Sequence, residues 1–498
     1  MAVVARTQQG EVEGREKNGA LLFAGIPYAA PPVGARRFLP PEPHERWAGV
    51  RSAQRFGPAA PQLPGEGVLG LRDVRWDEDC LTLNVCTPAV DAGRRPVLVW
   101  IHGGGFQTGQ GAIPWYDGTS FARKGGVVTV TINYRLGALG FAHLAGIGGA
   151  GYESSGLNGI LDQIAALRWV RENIAAFGGD PEKVTIAGES AGGMSVGVLL
   201  GTPSARGLFR GAIAQSGAAQ HVIPDAKARE VAGRLADALR ADGIEALRER
   251  SPAEILDAHR RVAASYLEES RGDPTGLGGM PFRPVVDGHV LPVPPVESVR
   301  KGNAADVAIL VGTNADETTI WTYGEFDEER ARRVFGRYLP HAEGAYDTYR
   351  GARPAAAPAA LITALTTDST FRIPAVRLAE AQHAAGGRVF KYLFTWRSRA
   401  LGGRLGATHA LEIPFAFDTL TRAGVEAFLG QGPLPSDLAG RMHAAWTAFV
   451  ATGDPACDAL PAWPMYEPAG RKVMELGDAC RLLHDPGAAE RELWELAR

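Results

Sequence analysis

The sequence predicts an α/β fold in which a central, mostly parallel β-sheet carries helices on both faces. Three observations support this. Between residues 95 and 220, compact apolar runs alternate with helical periodicity, the pattern of parallel strands joined by crossover helices. Buried-strand sequence returns at Ala308–Gly312 (AILVG) and Val389–Trp396 (VFKYLFTW). A chain of 498 residues that is 45% hydrophobic and 21% charged has the material for a large core, which excludes a disordered or low-complexity protein.

Taken in order, Pro96–Ile101 (PVLVWI), Val127–Ile132 (VVTVTI), Val184–Ala187 (VTIA) and Ala212–Gln215 (AIAQ) read as strands, being short apolar runs of strand length. Between the second and third, Ile160, Ile164, Leu167, Val170 and Ile174 advance by three or four residues and form one buried helical stripe. Residues 225–300 are Ala/Arg/Glu-rich helical sequence, and further helical sequence at 320–385 falls between sheet strands. Both segments read as insertions that cap one end of the sheet, over the active site. Dividing by roughly 150 residues per domain suggests about three domains. The 63 glycines and 34 prolines are nevertheless spread without repeat or linker, so the expectation is a single domain, residues 1–498.

With 52 basic and 55 acidic residues the formal net charge is -3, and there is no basic run or acidic tail. Nucleic acid and anionic membranes are therefore excluded as partners, and a small molecule is expected. Met1–Gly25 carries Arg6, Glu11, Glu13, Arg15, Glu16 and Lys17 before any apolar stretch of signal length. No window reaches the about 18 apolar residues of a membrane span. Cys80, Cys86, Cys457 and Cys480 form neither a disulfide framework nor a zinc-spaced cluster. The expectation is a cytoplasmic protein, with secretion of a mature form as the alternative.

The chemistry starts at Gly188-Glu189-Ser190-Ala191-Gly192, a G-x-S-x-G nucleophile elbow. A second match, Gly193-Met194-Ser195-Val196-Gly197, competes with it. Context separates them: Ser190 follows the β-branched run Val184–Ile186 and precedes small residues that can start a helix, whereas Ser195 would lie one turn inside that helix. A serine hydroxyl needs a base, and its tetrahedral intermediate needs donors aimed at the oxyanion. His102-Gly103-Gly104-Gly105 follows the strand ending at Ile101, where glycines let backbone N–H groups approach a substrate oxygen. Gly104, Gly105 and Ala191 are the expected donors. The chain order for this arrangement is serine, then acid, then histidine. Glu317, just past Ala308–Gly312, and His409, past the strand ending near Trp396, are candidates, but Asp316 and Asp418 compete for the acid and the other ten histidines for the base.

Together these residues resemble the type-B carboxylesterase family, which includes bacterial para-nitrobenzyl esterases, animal carboxylesterases and cholinesterases. The resemblance rests on Phe177-Gly178-Gly179-Asp180-Pro181 running into the elbow, on Glu78-Asp79-Cys80-Leu81-Thr82-Leu83-Asn84-Val85, and on matches such as Gly25-Ile26-Pro27-Tyr28, Asn133-Tyr134-Arg135-Leu136-Gly137, Gln215-Ser216-Gly217 and His409-Ala410-Leu411-Glu412-Ile413-Pro414-Phe415. It implies the α/β-hydrolase fold, a Ser190, Glu317, His409 triad supported by Glu189 and by a hydrogen bond from Ser216, and structural ion pairs Arg37–Glu78 and Arg135–Asp162. It also implies a serine carboxylesterase acting through an acyl-enzyme on esters of short to medium acyl chains, as a monomer and without metal or organic cofactor. Two departures stand out: the usual partner position of Cys80, within Gly57-Pro58-Ala59-Ala60-Pro61-Gln62, holds alanine, so Cys80 is expected free, and Cys86 replaces a bulky apolar residue.

Other readings are weaker. Gly146-Ile147-Gly148-Gly149-Ala150-Gly151 matches G-x-G-x-x-G but lacks the strand and helix that a dinucleotide site requires. No phosphate loop or H-E-x-x-H zinc motif is present. Phe106, Trp115, Tyr116, Trp321, Tyr323 and Phe415 are candidate pocket aromatics, with core packing as their ordinary alternative. A non-enzymatic adhesion protein is the alternative from another class, against which the intact serine, acid, histidine and glycine loop argue. Amide, carbamate or thioester hydrolysis is the alternative within hydrolases.

Overall fold

A computed structural model describes residues 3–63, 74–269, 279–322 and 326–496. In chain order its strands are β1 (Val3–Arg6), β2 (Glu11–Lys17), β3 (Ala20–Pro27), β4 (Val50–Ser52), β5 (Thr82–Thr87), β6 (Arg95–Ile101), β7 (Val128–Ile132), β8 (Gly179–Glu189) and β9 (Gly211–Gln215). They continue with β10 (Ile223–Pro224), β11 (Val285–Val286), β12 (Ala308–Asn314), β13 (Val389–Phe394), β14 (Lys472–Leu476) and β15 (Arg481–His484). Thirteen strands form one sheet in the order β1-β2-β3-β5-β7-β6-β8-β9-β12-β13-β14-β15, with β4 beside β2, while β10 and β11 pair separately.

The run from β7 through β6, β8, β9, β12 and β13 to β14 is parallel throughout. Antiparallel pairs flank it at both edges. Each strand expected from the apolar runs is present. The largest difference is β8, which starts at Gly179 rather than Val184 because Gly179 pairs with Arg95 across a bulge. The chain steps outward from β6 to β7 and then returns across β6 to β8, so the loops leaving β6 and β8 diverge from a common crevice at the carboxyl end of the sheet. His102–Gly105 and Ser190 stand on those two loops.

Alternation along the strands divides the core into two layers. Val97, Val99, Ile101, Val130, Val184 and Ile186 face the helix Asn158–Asn173, whose Ile160, Ile164, Leu167 and Val170 are the expected stripe. Leu98, Trp100, Ala187, Leu310 and Tyr392 face the opposite side, where Trp446 and Phe449 of the helix Ser436–Thr452 cover them. Of the inserted segments, Asp225–Leu239 and Pro252–Glu269 extend the first layer, whereas Glu328–Tyr338, Ala345–Ala352 and Pro358–Thr367 have a smaller apolar cluster of their own with Trp494. Helix Ile373–Ala384 packs on β12 and β13 as their crossover, because parallel neighbours cannot be joined by a tight turn. The helical stretch after residue 320 is therefore part separate apolar cluster and part sheet layer. Among the described residues, no helix is long and apolar enough to cross a membrane.

Candidate active site

Ser190 follows β8 directly and precedes the helix Ala191–Gly201. Its φ of 56° and ψ of -125° lie where a side-chain-bearing residue is strained, and the tight turn lifts the serine out of the strand line. The turn closes only because residues 188 and 192 are glycines: a Cβ on Gly188 would press on the Gly192 carbonyl carbon and one on Gly192 would overlap Ile101 O. Ser190 N–H donates to Gln215 O at 3.0 Å. Ser195 is fully buried one turn along the helix and accepts from Gln163 Nε2 at 3.1 Å.

Opposite the elbow, the loop after β6 brings Gly103 so close that a Cβ on it would stand 3.0 Å from Ser190 Cβ. Two carbonyls on this loop are held. His102 Nδ1–H donates to Gly103 O at 2.9 Å, and Gly104 O accepts from Gln107 N–H at 3.0 Å, Thr108 N–H at 3.0 Å and Thr108 Oγ1 at 3.2 Å. In a trans peptide C=O and N–H point in opposite directions, so holding these two carbonyls aims the N–H groups of Gly104 and Gly105 away from them. Neither N–H, nor that of Ala191, donates to another described residue. Burial lowers His102 to about 4, so its ring stays neutral, stacked 4.5 Å from Tyr134, whose hydroxyl donates to His102 O.

Of the candidate acids, the structure brings only Glu317 to His409. His409 Nδ1–H donates to Glu317 Oε2 at 2.6 Å, and both residues are buried. Asp316 points away, its Oδ2 accepting from Ala407 N–H and Arg397, while Asp418 pairs with Lys124. The other His409 nitrogen, Nε2, has no hydrogen-bond partner among the described residues. It lies 3.1 Å from Glu189 Oε1, close enough for charge attraction but without hydrogen-bond alignment. Burial works against a charged His409, yet Glu189, Glu317 and Glu412 outweigh it and push the ring up to about 9. Burial pushes Glu189 up to about 8, with Glu412 and Glu317 adding to the rise and His409 opposing it.

Glu412 was not singled out as a site residue in the sequence. It is completely buried and accepts from Gln215 Nε2 at 3.0 Å and Asn314 Nδ2 at 2.7 Å, and Trp446 Nε1 donates to Gln215 Oε1. A glutamate three residues past a candidate histidine is its only sequence signal. The side-chain hydrogen bond expected of Ser216 is not made: its N–H donates to Gly312 O with φ of 47°, which leaves Oγ buried without a partner.

The pocket expectation needs correction. Phe106 packs on Phe141, Trp115 donates to Ala423 O and packs on Phe428, Tyr116 packs on Trp100, and Phe415 lies between Phe394 and Trp396. All four are buried in the core, because each large ring gains more from closing an apolar layer than from facing solvent. Trp321 is the exception. It is 48% exposed, with its ring 4.9 Å from that of His409, and Phe371 flanks the same imidazole at 4.9 Å. Tyr323 lies outside the described residues. The ion pairs form as expected, with Arg37 Nε donating to Glu78 at 2.7 Å and Arg135 bidentate on Asp162. Cys80 and Cys86 are buried free thiols, and burial pushes Cys86 up to about 12.

The carboxylesterase family model matches residues 2–494. The chain belongs to the carboxylesterase family. It is 38% identical to phenmedipham hydrolase of Pseudarthrobacter oxydans over 492 residues, 95% of each chain. It is 36% identical to the para-nitrobenzyl esterase of Bacillus subtilis over 98% of each. A solved carboxylesterase from Geobacillus stearothermophilus superposes with a TM-score of 0.87 at 40% identity, covering 99% of both chains. This carboxylesterase therefore has the α/β-hydrolase fold and is a serine hydrolase of carboxylic esters, of the type-B family. Among the described residues, no His, Cys, Asp and Glu cluster could hold a metal ion.

Proposed function

We propose that Ser190, Glu317 and His409 carry a two-step acyl transfer, with the N–H groups of Gly104, Gly105 and Ala191 as oxyanion donors. The observation that supports this best is the single orientation available to His409. Glu317 holds Nδ1–H, which leaves an unpartnered Nε2 to act as base beside the elbow. His409 takes the Ser190 proton, Oγ adds to the ester carbonyl carbon, and the carbonyl oxygen becomes an oxyanion facing the three amides. The imidazolium, stabilised by Glu317, returns the proton to the departing alkoxide as the ester C–O bond breaks. Water, deprotonated by His409, then adds to the acyl carbonyl carbon, and the imidazolium returns that proton to Ser190 Oγ as the Oγ–C bond breaks and the carboxylic acid leaves.

The substrates are small esters with short to medium acyl chains, including esters of aromatic alcohols. Trp321 supports the aromatic preference, since it offers a half-exposed ring beside His409 where a leaving group would depart. The name of one relative, a para-nitrobenzyl esterase, points the same way. We read the protein as one domain with helical insertions forming the cap, and as a bacterial, cytoplasmic monomer. Its four free cysteines support the reducing compartment, and the family resemblance supports the monomer.

The test is hydrolysis of a p-nitrophenyl acyl ester series by the wild type, Ser190→Ala and Ser195→Ala, with folding followed by circular dichroism. Activity lost only in Ser190→Ala supports the assignment, and the chain-length profile bounds the acyl site. A folded, active Ser190→Ala would overturn it.

A further inference from the structure

The loop bearing Gly104 and Gly105 is tied to the inserted helix Pro252–Glu269 by a directional chain of hydrogen bonds that the chemistry above does not use. Ala138 N–H donates to His259 Nδ1 at 3.2 Å, so the neutral ring carries its proton on Nε2. That Nε2–H donates to Gln107 Oε1 at 3.0 Å, which turns Gln107 Nε2 outward to donate to Gly279 O at 3.0 Å. Reversing any one member would set donor against donor or acceptor against acceptor. His259 is buried, lies 4.8 Å from the Phe282 ring, and abuts Gly137 so closely that a Cβ there would stand 2.6 Å from Nδ1. Burial lowers its basicity to about 4, which keeps the ring neutral and Nδ1 able to accept from Ala138.

Both ends of this chain reach the oxyanion loop. Gln107 N–H donates to Gly104 O, the carbonyl of the peptide whose N–H belongs to Gly105. Gly137, one residue before Ala138, donates its N–H to Phe106 O at 2.6 Å. Met280, one residue beyond Gly279, places Sδ 3.4 Å from where a Gly105 Cβ would stand, and Gln107 Nε2 lies 3.8 Å from the same point.

We propose that His259 is a positioning residue for ester hydrolysis: through Gln107 it holds the Gly104–Gly105 peptide, and Gly279–Met280 above it, in the orientation the tetrahedral intermediate requires. The proposal rests on the assignment of Gly104 and Gly105 as oxyanion donors. His259 itself touches no reacting atom. Its energetic contribution is realised in the transition state, since a donor that is already aimed needs no reorganisation when the charge develops.

The test compares His259→Leu, which keeps the bulk but loses both hydrogen bonds, with His259→Gln, whose amide can accept from Ala138 and donate to Gln107. Turnover of p-nitrophenyl butyrate and inhibition by an alkyl trifluoromethyl ketone are both measured. Serine adds to that ketone, its proton passes to the histidine and the carbonyl oxygen becomes an oxyanion, so the inhibitor reads the oxyanion hole without a leaving group. His259→Leu should lower kcat about tenfold with KM within about twofold, and weaken the ketone by the factor lost in kcat/KM. His259→Gln should recover most of both. Gln107→Leu repeats the test from the other partner if His259→Leu fails to fold, and where both fold the double variant should be no worse than either single one. Unchanged kcat in His259→Leu or Gln107→Leu, or a kcat loss without weaker ketone binding, overturns the proposal. Gly104→Ala separates it from the reading beneath: full turnover there would remove the oxyanion assignment itself, whereas an inactive Gly104→Ala beside normal His259→Leu and Gln107→Leu would remove only the role of His259.

Discussion

Asn314 donates from its side-chain amide to Glu412 Oε2 at 2.7 Å while its backbone N–H donates to Glu317 Oε1 at 2.8 Å. One residue at the end of β12 thus holds two buried carboxylates that both act on His409. Asn314 Nδ2 also donates to Thr408 O, next to the histidine. Replacing Asn314 by leucine leaves Glu412 with one of its two amide donors and Thr408 O with only the long bond from Leu411 N–H at 3.4 Å. The expected cost is about 1–3 kcal/mol of stability, read from the denaturant midpoint, together with a fall in kcat. Unaltered stability would show that the network is not needed to keep Glu412 buried.

Glu317→Gln should retain the fold and substrate binding while reducing kcat by up to about 10⁴-fold. An amide can hold the ring in the wrong tautomer and cannot stabilise the imidazolium. Steady-state kinetics with one p-nitrophenyl ester decides this, and a loss confined to KM would reject the role.

Glu189 raises the basicity of His409, and in its proposed role as base His409 must be neutral to take the Ser190 proton. The ratio kcat/KM therefore rises with pH as the site deprotonates. Removing the charge in Glu189→Gln should move the acidic limb of that profile to lower pH. A limb that stays in place, or moves to higher pH, would show that Glu189 does not tune the histidine.

Gly104 has φ of 116° and a Cβ there would overlap Thr108 O, whereas a Cβ on Gly105 would come no nearer than 3.4 Å to Met280 Sδ, its first neighbour. Gly104→Ala is therefore expected to lose on the order of 10²–10³ in kcat and Gly105→Ala less, with circular dichroism unchanged in both. The reverse ranking would mean that the first peptide of the loop does not face the oxyanion.

Lys391 on β13 is buried, and burial together with Arg372 lowers it to about 7, with Asp368 opposing. The unfolded chain holds this proton up to the ordinary lysine range, so the folded state loses stability as pH falls from there through about 7. Lys391→Met should accordingly raise the thermal midpoint more at pH 6 than at pH 9, measured as the difference from wild type at each pH. An equal difference at both values would show that burial does not lower the basicity of this amine.

Much of the fold was legible in the chain because its signals are local. Pro96–Ile101 and Ala308–Gly312 are apolar enough to be strands wherever they lie, and Ile160 to Val170 has only one way to form a stripe. The boundaries were less legible. Gly179 joins β8 because Arg95 pairs with it, and Ile373–Ala384 belongs to the sheet layer because β12 and β13 need a crossover. Neither partner is visible in the segment itself. The aromatics show the same limit, since nothing local distinguishes the buried Phe415 from Trp321, which stands half-exposed over His409.

The sequence by itself determined where a strained serine turn and a glycine-lined loop must occur, because Gly188, Gly192 and Gly104 permit backbone paths that other residues obstruct. With the family resemblance, that was enough to name serine, acid and histidine. The tertiary structure decided what lies around them. It turned Asp316 toward Arg397 and Glu317 toward His409, gathered Glu189 and Glu412 onto one imidazole, and linked His259 to Gln107 on the loop that bears Gly104 and Gly105. Apart from Glu412, a close neighbour of His409 in the chain, these contacts join residues dozens to hundreds of positions apart. They are set by the packing of the inserted helices and the sheet ends, for which the chain carries no short-range signal.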